Sequence, residues 1–354
     1  MKKERSNLES PVPVKLVERL RSLADSAEAS GELTPELLTV IHDQRWFKLF
    51  VPRSLGGLEL PLPEGVRLEE ELSRIDGSLG WTVTLCGGAN LFVGYLDRSI
   101  APAIFTDRAV CFGGSGQASG KAVVENEGYR VSGKWRYATG APHLTHFTAN
   151  CTIEQQGKVM LDEHGDPRVK SFFFPKADVR IIKDWNTFGL RATASHSFEV
   201  DNLWVDEMHA FSIAPQMATW NHPIYRYPFL QFAEATLAVN TVGMARHFLE
   251  CITALGTPRL LGLVEAAEAE LMKTRELFYH ILDASWDELV RKGVLSPVRS
   301  KAVSDWSRTL VKVSREQVVA LYPQAGLVAA DVSSEMNRVW RDMFTASQHS
   351  LIRL

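Results

Sequence analysis

Residues 125–140, Glu125-Asn126-Glu127-Gly128-Tyr129-Arg130-Val131-Ser132-Gly133-Lys134-Trp135-Arg136-Tyr137-Ala138-Thr139-Gly140, decide the fold. A polar turn ending in glycine opens onto a run of period two, with Tyr129, Val131, Gly133 and Trp135 on one face and Arg130, Ser132 and Lys134 on the other. That alternation is a strand pattern, and the turn before it joins it to an earlier strand. Working outward, the same period predicts strands at 110–113 and 122–124 before it. After it come strands at 145–153, 171–174, 179–182 and 197–205, with the acidic stretch 161–168 as an exposed hairpin or excursion. The glycine cluster 113–120 between the first two strands is read as a flexible strand-to-strand turn.

On both sides the period changes to that of a helix. Leu16, Leu20 and Leu23 fall on one helical face, and Thr34-Pro35 combines a capping hydroxyl with proline at the first helical position. A glycine- and proline-rich loop, 51–63, separates these from helices at 65–75 and 78–92, the latter nearly uncharged and so expected to be deeply buried. Helix returns at 229–254, 260–292, 297–322 and 334–352, with Ser296-Pro297 as a start signal. Helices, then strands, then helices make an α+β chain rather than an alternating α/β one. The expected division is a helical domain at 1–104, an antiparallel β domain at 105–206 and a helical bundle at 207–354.

With 354 residues, 45% hydrophobic and 23% charged, the chain has material for a large core. The net charge of −3 makes no electrostatic case for nucleic acid or an anionic membrane. No apolar run approaches the roughly 18 residues a membrane span needs. The N-terminal MKKERSNLESPVPVK is polar where a signal peptide would be apolar, so a cytoplasmic location is expected. Cys86, Cys111, Cys151 and Cys251 form no C-x-x-C pair, which suits reduced thiols. His143 and His146 have no carboxylate or cysteine companion at metal spacing in sequence, and no metal site is expected. The cluster Gly114, Gly116, Gly120 misses the G-x-G-x-x-G spacing by one residue and lacks a Walker ending, which disfavours a dinucleotide or P-loop site.

Four stretches in order carry a family resemblance. Phe50-Val51-Pro52 with Gly56-Gly57-Leu58, Arg74-Ile75-Asp76-Gly77-Ser78-Leu79-Gly80-Trp81, residues 128–140, and Gly189-Leu190-Arg191-Ala192-Thr193-Ala194-Ser195 resemble motifs of the acyl-CoA dehydrogenase superfamily of flavoproteins. The final segment, 337–349, with Arg341-Asp342 and His349, most resembles the reduced-flavin monooxygenase branch. The resemblance implies a helix–sheet–helix fold, FMN or FAD reduced by a separate reductase, and oxidation of an aromatic or heteroatom-containing small molecule. It also implies a homodimer or homotetramer.

For the site, the resemblance implies His349 at the flavin edge as the group supporting the oxygen chemistry, and Thr139, where the branch commonly has serine, as a hydroxyl contact to the ring. Trp135 is a candidate to pack against the flavin. The backbone around Phe112, Gly114 and Ser115, with Ser195, is placed at its pyrimidine edge or phosphate. Arg191, expected on a strand, requires either a carboxylate or the flavin as its partner. Trp81, His143 and His146 are candidates for the substrate pocket. Two other readings stay open: an acyl-CoA dehydrogenase, which needs a carboxylate base that Glu250, Glu265 or Glu268 would have to supply in the absence of a Y-E-G-T turn, and a non-catalytic flavin-binding or structural relative. After Gly243-Met244-Ala245-Arg246 the chain departs from the family by lacking its arginine-containing loop, which leaves the phosphate contacts and the choice between FMN and FAD unassigned.

Overall fold

The computed structural model describes residues 11–353; most of the polar N-terminal stretch read above lies outside them. Five helices come first: α1 (Val14–Ser30), α2 (Pro35–Asp43), α3 (Leu62–Ile75), α4 (Gly77–Asn90) and α5 (Ala101–Phe105). The expected caps are in place, since the Thr34 hydroxyl accepts from the Leu37 amide and the Ser296 hydroxyl from the Arg299 amide, and the Asp76 carboxylate caps α4 likewise by accepting from the Leu79 amide. Helix α4 is buried nearly all round, which its small uncharged residues allow.

The sheet follows, with strands β1 (Phe112–Glu125), β2 (Gly128–Ala138), β3 (His146–Gln155), β4 (Lys158–Val159), β5 (Val169–Pro175), β6 (Arg180–Ile182), β7 (His196–Asp206) and β8 (Ala210–Phe211). Their order is β6-β7-β2-β1-β3-β5-β8, with β4 paired to β3, so the sheet extends past residue 206. It is mixed rather than purely antiparallel, because β1 and β3 run parallel. The cause is a short connection: β2 returns to the starting end of β1, residues 139–145 cross that end, and β3 must set out in the direction of β1. The glycine cluster is not a turn either. Residues 113–120 lie within β1, where the register with β3 slips between Ser115 and Gly120.

Long helices close the fold: α6 (Phe229–Ala254), α7 (Pro258–Lys292), α8 (Pro297–Leu321), the short α9 (Leu327–Ala330) and α10 (Glu335–Ala346). The fully buried Glu70 of α3 accepts from Arg246 of α6 at 2.5 Å, Arg275 of α7 at 2.8 Å and the Tyr279 hydroxyl at 2.6 Å, joining three helices through one satisfied charge cluster. Helix α10 is tied back to α1 by Arg338 to Asp25 and by Arg341 to Glu28 at 2.7 Å. Among the described residues no helix is long and apolar enough to cross a membrane.

Candidate active site

Between the sheet and the helices lies a cavity of about 210 Å³. Strand residues 113–116 and 148–150, with Thr139 and Ser171, form one side. Residues of α4 and α6 form the other, and His349 and Leu351 close it from beyond α10. Its apolar surface includes Phe92, Phe211, Phe229 and Phe232, whose rings touch in sequence: Phe211 and Phe229 lie 5.3 and 5.5 Å from Phe92, and Phe232 lies 6.0 Å from Phe229. Its polar groups are uncharged. No aspartate, glutamate, lysine or arginine is among the described residues that line it.

His349 was expected on the terminal helix, but α10 ends at Ala346 and the histidine sits in the turn that follows. There its Nδ1 accepts from the Leu351 amide at 3.3 Å, which leaves the proton of the neutral ring on Nε2. Burial lowers its pKa below the usual histidine value, so it is a neutral donor at pH 7. The Trp81 ring of α4 meets it edge-on, with centroids 6.0 Å apart; Trp81 thus supports the histidine rather than lining the cavity.

Thr139 follows the last residue of β2, and Gly140, at φ +76°, turns the chain away while its amide donates to the Thr193 carbonyl at 2.8 Å. The Thr139 hydroxyl is 3.0 Å from the Ser195 hydroxyl, which is 2.8 Å from that of Thr193, and Thr193 Oγ1 donates to the Leu190 carbonyl at 2.8 Å. Ser195 therefore stands behind Thr139, not at the cavity surface. The turn that carries these hydroxyls docks on α10. The Leu190 amide donates to Asp342 Oδ1 at 2.6 Å, and a Cβ on Gly189 would stand 2.1 Å from the Arg341 carbonyl oxygen, so only glycine fits. Burial, and then the charge of Asp76, push the Asp342 carboxyl well above the usual carboxylate range.

Other expected positions are elsewhere. Gly114 and Ser115 line the cavity, but the Phe112 amide is taken by Asn90 Oδ1 at 2.9 Å and its ring is buried against Phe105. Trp135 is fully buried, its indole N–H donates to the Asn150 carbonyl at 3.0 Å and its ring stacks on Phe198, so it is core. Arg191 is not in a strand; it begins a 3-10 turn, is exposed, and needs no buried partner. His146 stacks on Phe112 away from the cavity, its pKa lowered by burial to about 4. His143 stacks on Phe47, with its pKa lowered by burial to about 3. Contrary to the sequence spacing, folding does give His143 cysteine companions, since its ring nitrogen and the thiols of Cys86 and Cys111 lie within 4.8 Å of one another.

The alternative bases are not in reach. Glu250 is held by Arg21 at 2.6 Å and Arg74 at 2.5 Å, and Glu265 and Glu268 are exposed on α7. Arg246 is engaged by Glu70, and the exposed Arg259 bonds Gln324. Sequence reading missed the amides that shape the walls: the half-buried Asn150, which accepts from Ser171 at 2.7 Å, and the fully buried Asn240, which donates to the Thr84 hydroxyl at 2.8 Å. A lone asparagine within an apolar helix such as α6 was the available signal for the second.

No family model matches the chain. It is 25% identical to an indole-3-acetate monooxygenase of Pseudomonas putida over 322 residues, covering 86% of this chain and 80% of that one. It is 23% identical to the oxygenase subunit HsaA of a flavin-dependent monooxygenase from Mycobacterium tuberculosis, covering 95% and 89%. The crystal structure of the M. tuberculosis HsaA monooxygenase superposes with a TM-score of 0.88 at 20% identity, over 96% of this chain and 93% of that one. XiaF from Streptomyces sp., solved with FADH2 and glycerol, superposes at 0.85 with 20% identity, over 96% and 89%. The chain is thus an acyl-CoA dehydrogenase-fold protein whose relatives in sequence include an indole-3-acetate monooxygenase and the oxygenase subunit of a flavin-dependent monooxygenase.

Proposed function

We propose that this chain is the oxygenase component of a two-component flavin monooxygenase, acting on an aromatic or heteroatom-bearing small molecule with reduced flavin from a partner reductase. The observation that carries the reading is a cavity with a neutral histidine donor, His349, and a hydroxyl-bearing residue, Thr139, but no lining carboxylate among the described residues. Removal of a proton from carbon beside a thioester needs a carboxylate poised at the ring. Oxygen transfer needs hydrogen-bonding groups and exclusion of water instead.

The residues fit a flavin ring. The strand facing the cavity is glycine-rich, and a Cβ on Gly116 would meet nothing within 4 Å, so open space lies directly against the backbone. Thr139, Ser115 and Asn150 would hold the ring with uncharged polar groups. Bound reduced flavin supplies the electrons for dioxygen activation. His349, which lines the cavity, would donate its Nε2–H to oxygen there, and the phenylalanine cluster would hold an aromatic substrate and keep water out. Homo-oligomeric assembly and a cytoplasmic location complete the proposal. Among the described residues no cationic side chain lines the cavity, so the flavin phosphate would be held outside this wall.

The test supplies reduced FMN or FAD, 18O2 and a panel of phenols, indoles and thiophenes. Incorporation of one labelled oxygen supports the reading. Failure to bind either reduced flavin would overturn it.

A further inference from the structure

Three buried hydroxyls stand in line behind the cavity, and their donor directions are determined. The Leu190 carbonyl can only accept, so Thr193 spends its single hydroxyl proton there, at 2.8 Å. Thr193 Oγ1 can then only accept from Ser195, at 2.8 Å, which consumes the Ser195 proton. Ser195 Oγ in turn can only accept from Thr139, at 3.0 Å. Were Ser195 to donate to Thr139 instead, either the Thr193 and Ser195 oxygens or Thr193 Oγ1 and the Leu190 carbonyl oxygen would stand 2.8 Å apart with no proton between them. All three side chains are at most 5% exposed, so water does not compete for these positions. The Thr139 proton is therefore committed to Ser195, and to a ligand in the cavity that Thr139 lines this hydroxyl can offer only lone pairs.

Resting on the function proposed above, we infer that Ser195 and Thr193 are positioning residues that make Thr139 an obligate acceptor and so select the reduced over the oxidised flavin ring. The dihydroflavin carries an N–H at N5 that such an acceptor can bond. In the oxidised ring N5 is itself an acceptor, and facing Thr139 lone pairs it would be left unpaired. An unpaired buried acceptor costs more than an unmade bond, so the arrangement discriminates by penalty as well as by attraction. The relay's anchor is itself fixed, because the Leu190 amide is bound to Asp342 of α10.

The test measures anaerobic binding of oxidised and chemically reduced FMN and FAD by equilibrium dialysis, so no turnover is read. The wild-type chain should favour the reduced form. In Ser195→Ala the Thr139 hydroxyl is free to rotate and donate, and the ratio of oxidised to reduced dissociation constants should fall roughly three- to tenfold. Thr193→Val, which leaves Ser195 without a fixed acceptor, should lower it as well, whereas Thr193→Ser should keep the wild-type ratio. If Ser195→Ala fails to fold, the two Thr193 variants decide. An unchanged ratio in Thr193→Val or Ser195→Ala, with both forms still bound, overturns the relay but leaves the proposed function standing. A wild-type chain that binds neither form overturns both.

Discussion

Replacing His349 by alanine separates the histidine's chemistry from its packing. The ring contributes one long hydrogen bond to the Leu351 amide, at 3.3 Å, and one edge contact to Trp81, at 6.0 Å. Loss of both should cost about 1 kcal/mol, since an aromatic pair is worth about 0.5–1.5 kcal/mol and a partly exposed hydrogen bond less. For a chain of this size that lowers the melting temperature by roughly 2 °C. Product formation per flavin oxidised should fall far more, by about ten- to a thousandfold, which is the range for removal of one positioned donor or acid, with hydrogen peroxide released in its place. The assay titrates product and peroxide against reduced flavin consumed. Because burial lowers the His349 pKa, the neutral donor persists below the usual histidine range, and coupling in the wild type should decline only at more acidic pH. Coupling in His349→Ala equal to wild type, with flavin binding intact, would refute the assignment.

Gly189→Ala should destabilise the chain by about 1–3 kcal/mol in denaturant melts, because the new methyl overlaps the Arg341 carbonyl. Asp342→Ala strips the buried Leu190 amide of its acceptor and should cost about 1–3 kcal/mol, most of it recovered in Asp342→Asn, which retains an acceptor oxygen. His143 stays neutral in the folded chain down to about pH 3, whereas an unfolded histidine protonates near pH 6.5, so the unfolded state binds the extra proton in between and stability falls as pH drops through that window. His143→Phe should remove about 3 kcal/mol of acid sensitivity at pH 4.5, read as the difference between the two chains' unfolding free energies at pH 7 and 4.5.

Elements were legible where a local rule governs them. Thr34-Pro35 and Ser296-Pro297 announce α2 and α8 because capping is satisfied within one turn of chain. The period of β2 reports a strand with one buried face. Strand partners were not legible: nothing in β1 or β3 states that they run parallel, since that follows from where 139–145 crosses. Trp135 and the Phe112 backbone read as flavin contacts because their motifs border the cleft, but strand alternation turns the Trp135 ring into the core and Asn90 takes the Phe112 amide. Arg191 misled because a 3-10 turn with left-handed residues on either side, Leu190 and Ala194, carries a guanidinium outward where a strand would have buried it. Thr139 and His349, named through resemblance, both line the cavity. The hydroxyls behind Thr139 are ordinary residues until the turn brings them within 3.0 Å.

The ion pairs between α1 and α10 join residues 313 positions apart. Closing so long a loop is entropically costly and topologically slow, whereas the β1–β2 hairpin forms from neighbours. Refolding should accordingly proceed in an order opposite to use. Sheet and helix signals return first, and the wall bearing His349 docks last, when α10 meets helices from the far side of the chain. A refolding population would then pass through a stage that is structured by circular dichroism yet has an open cavity, and its oxygen chemistry would lag behind its shape.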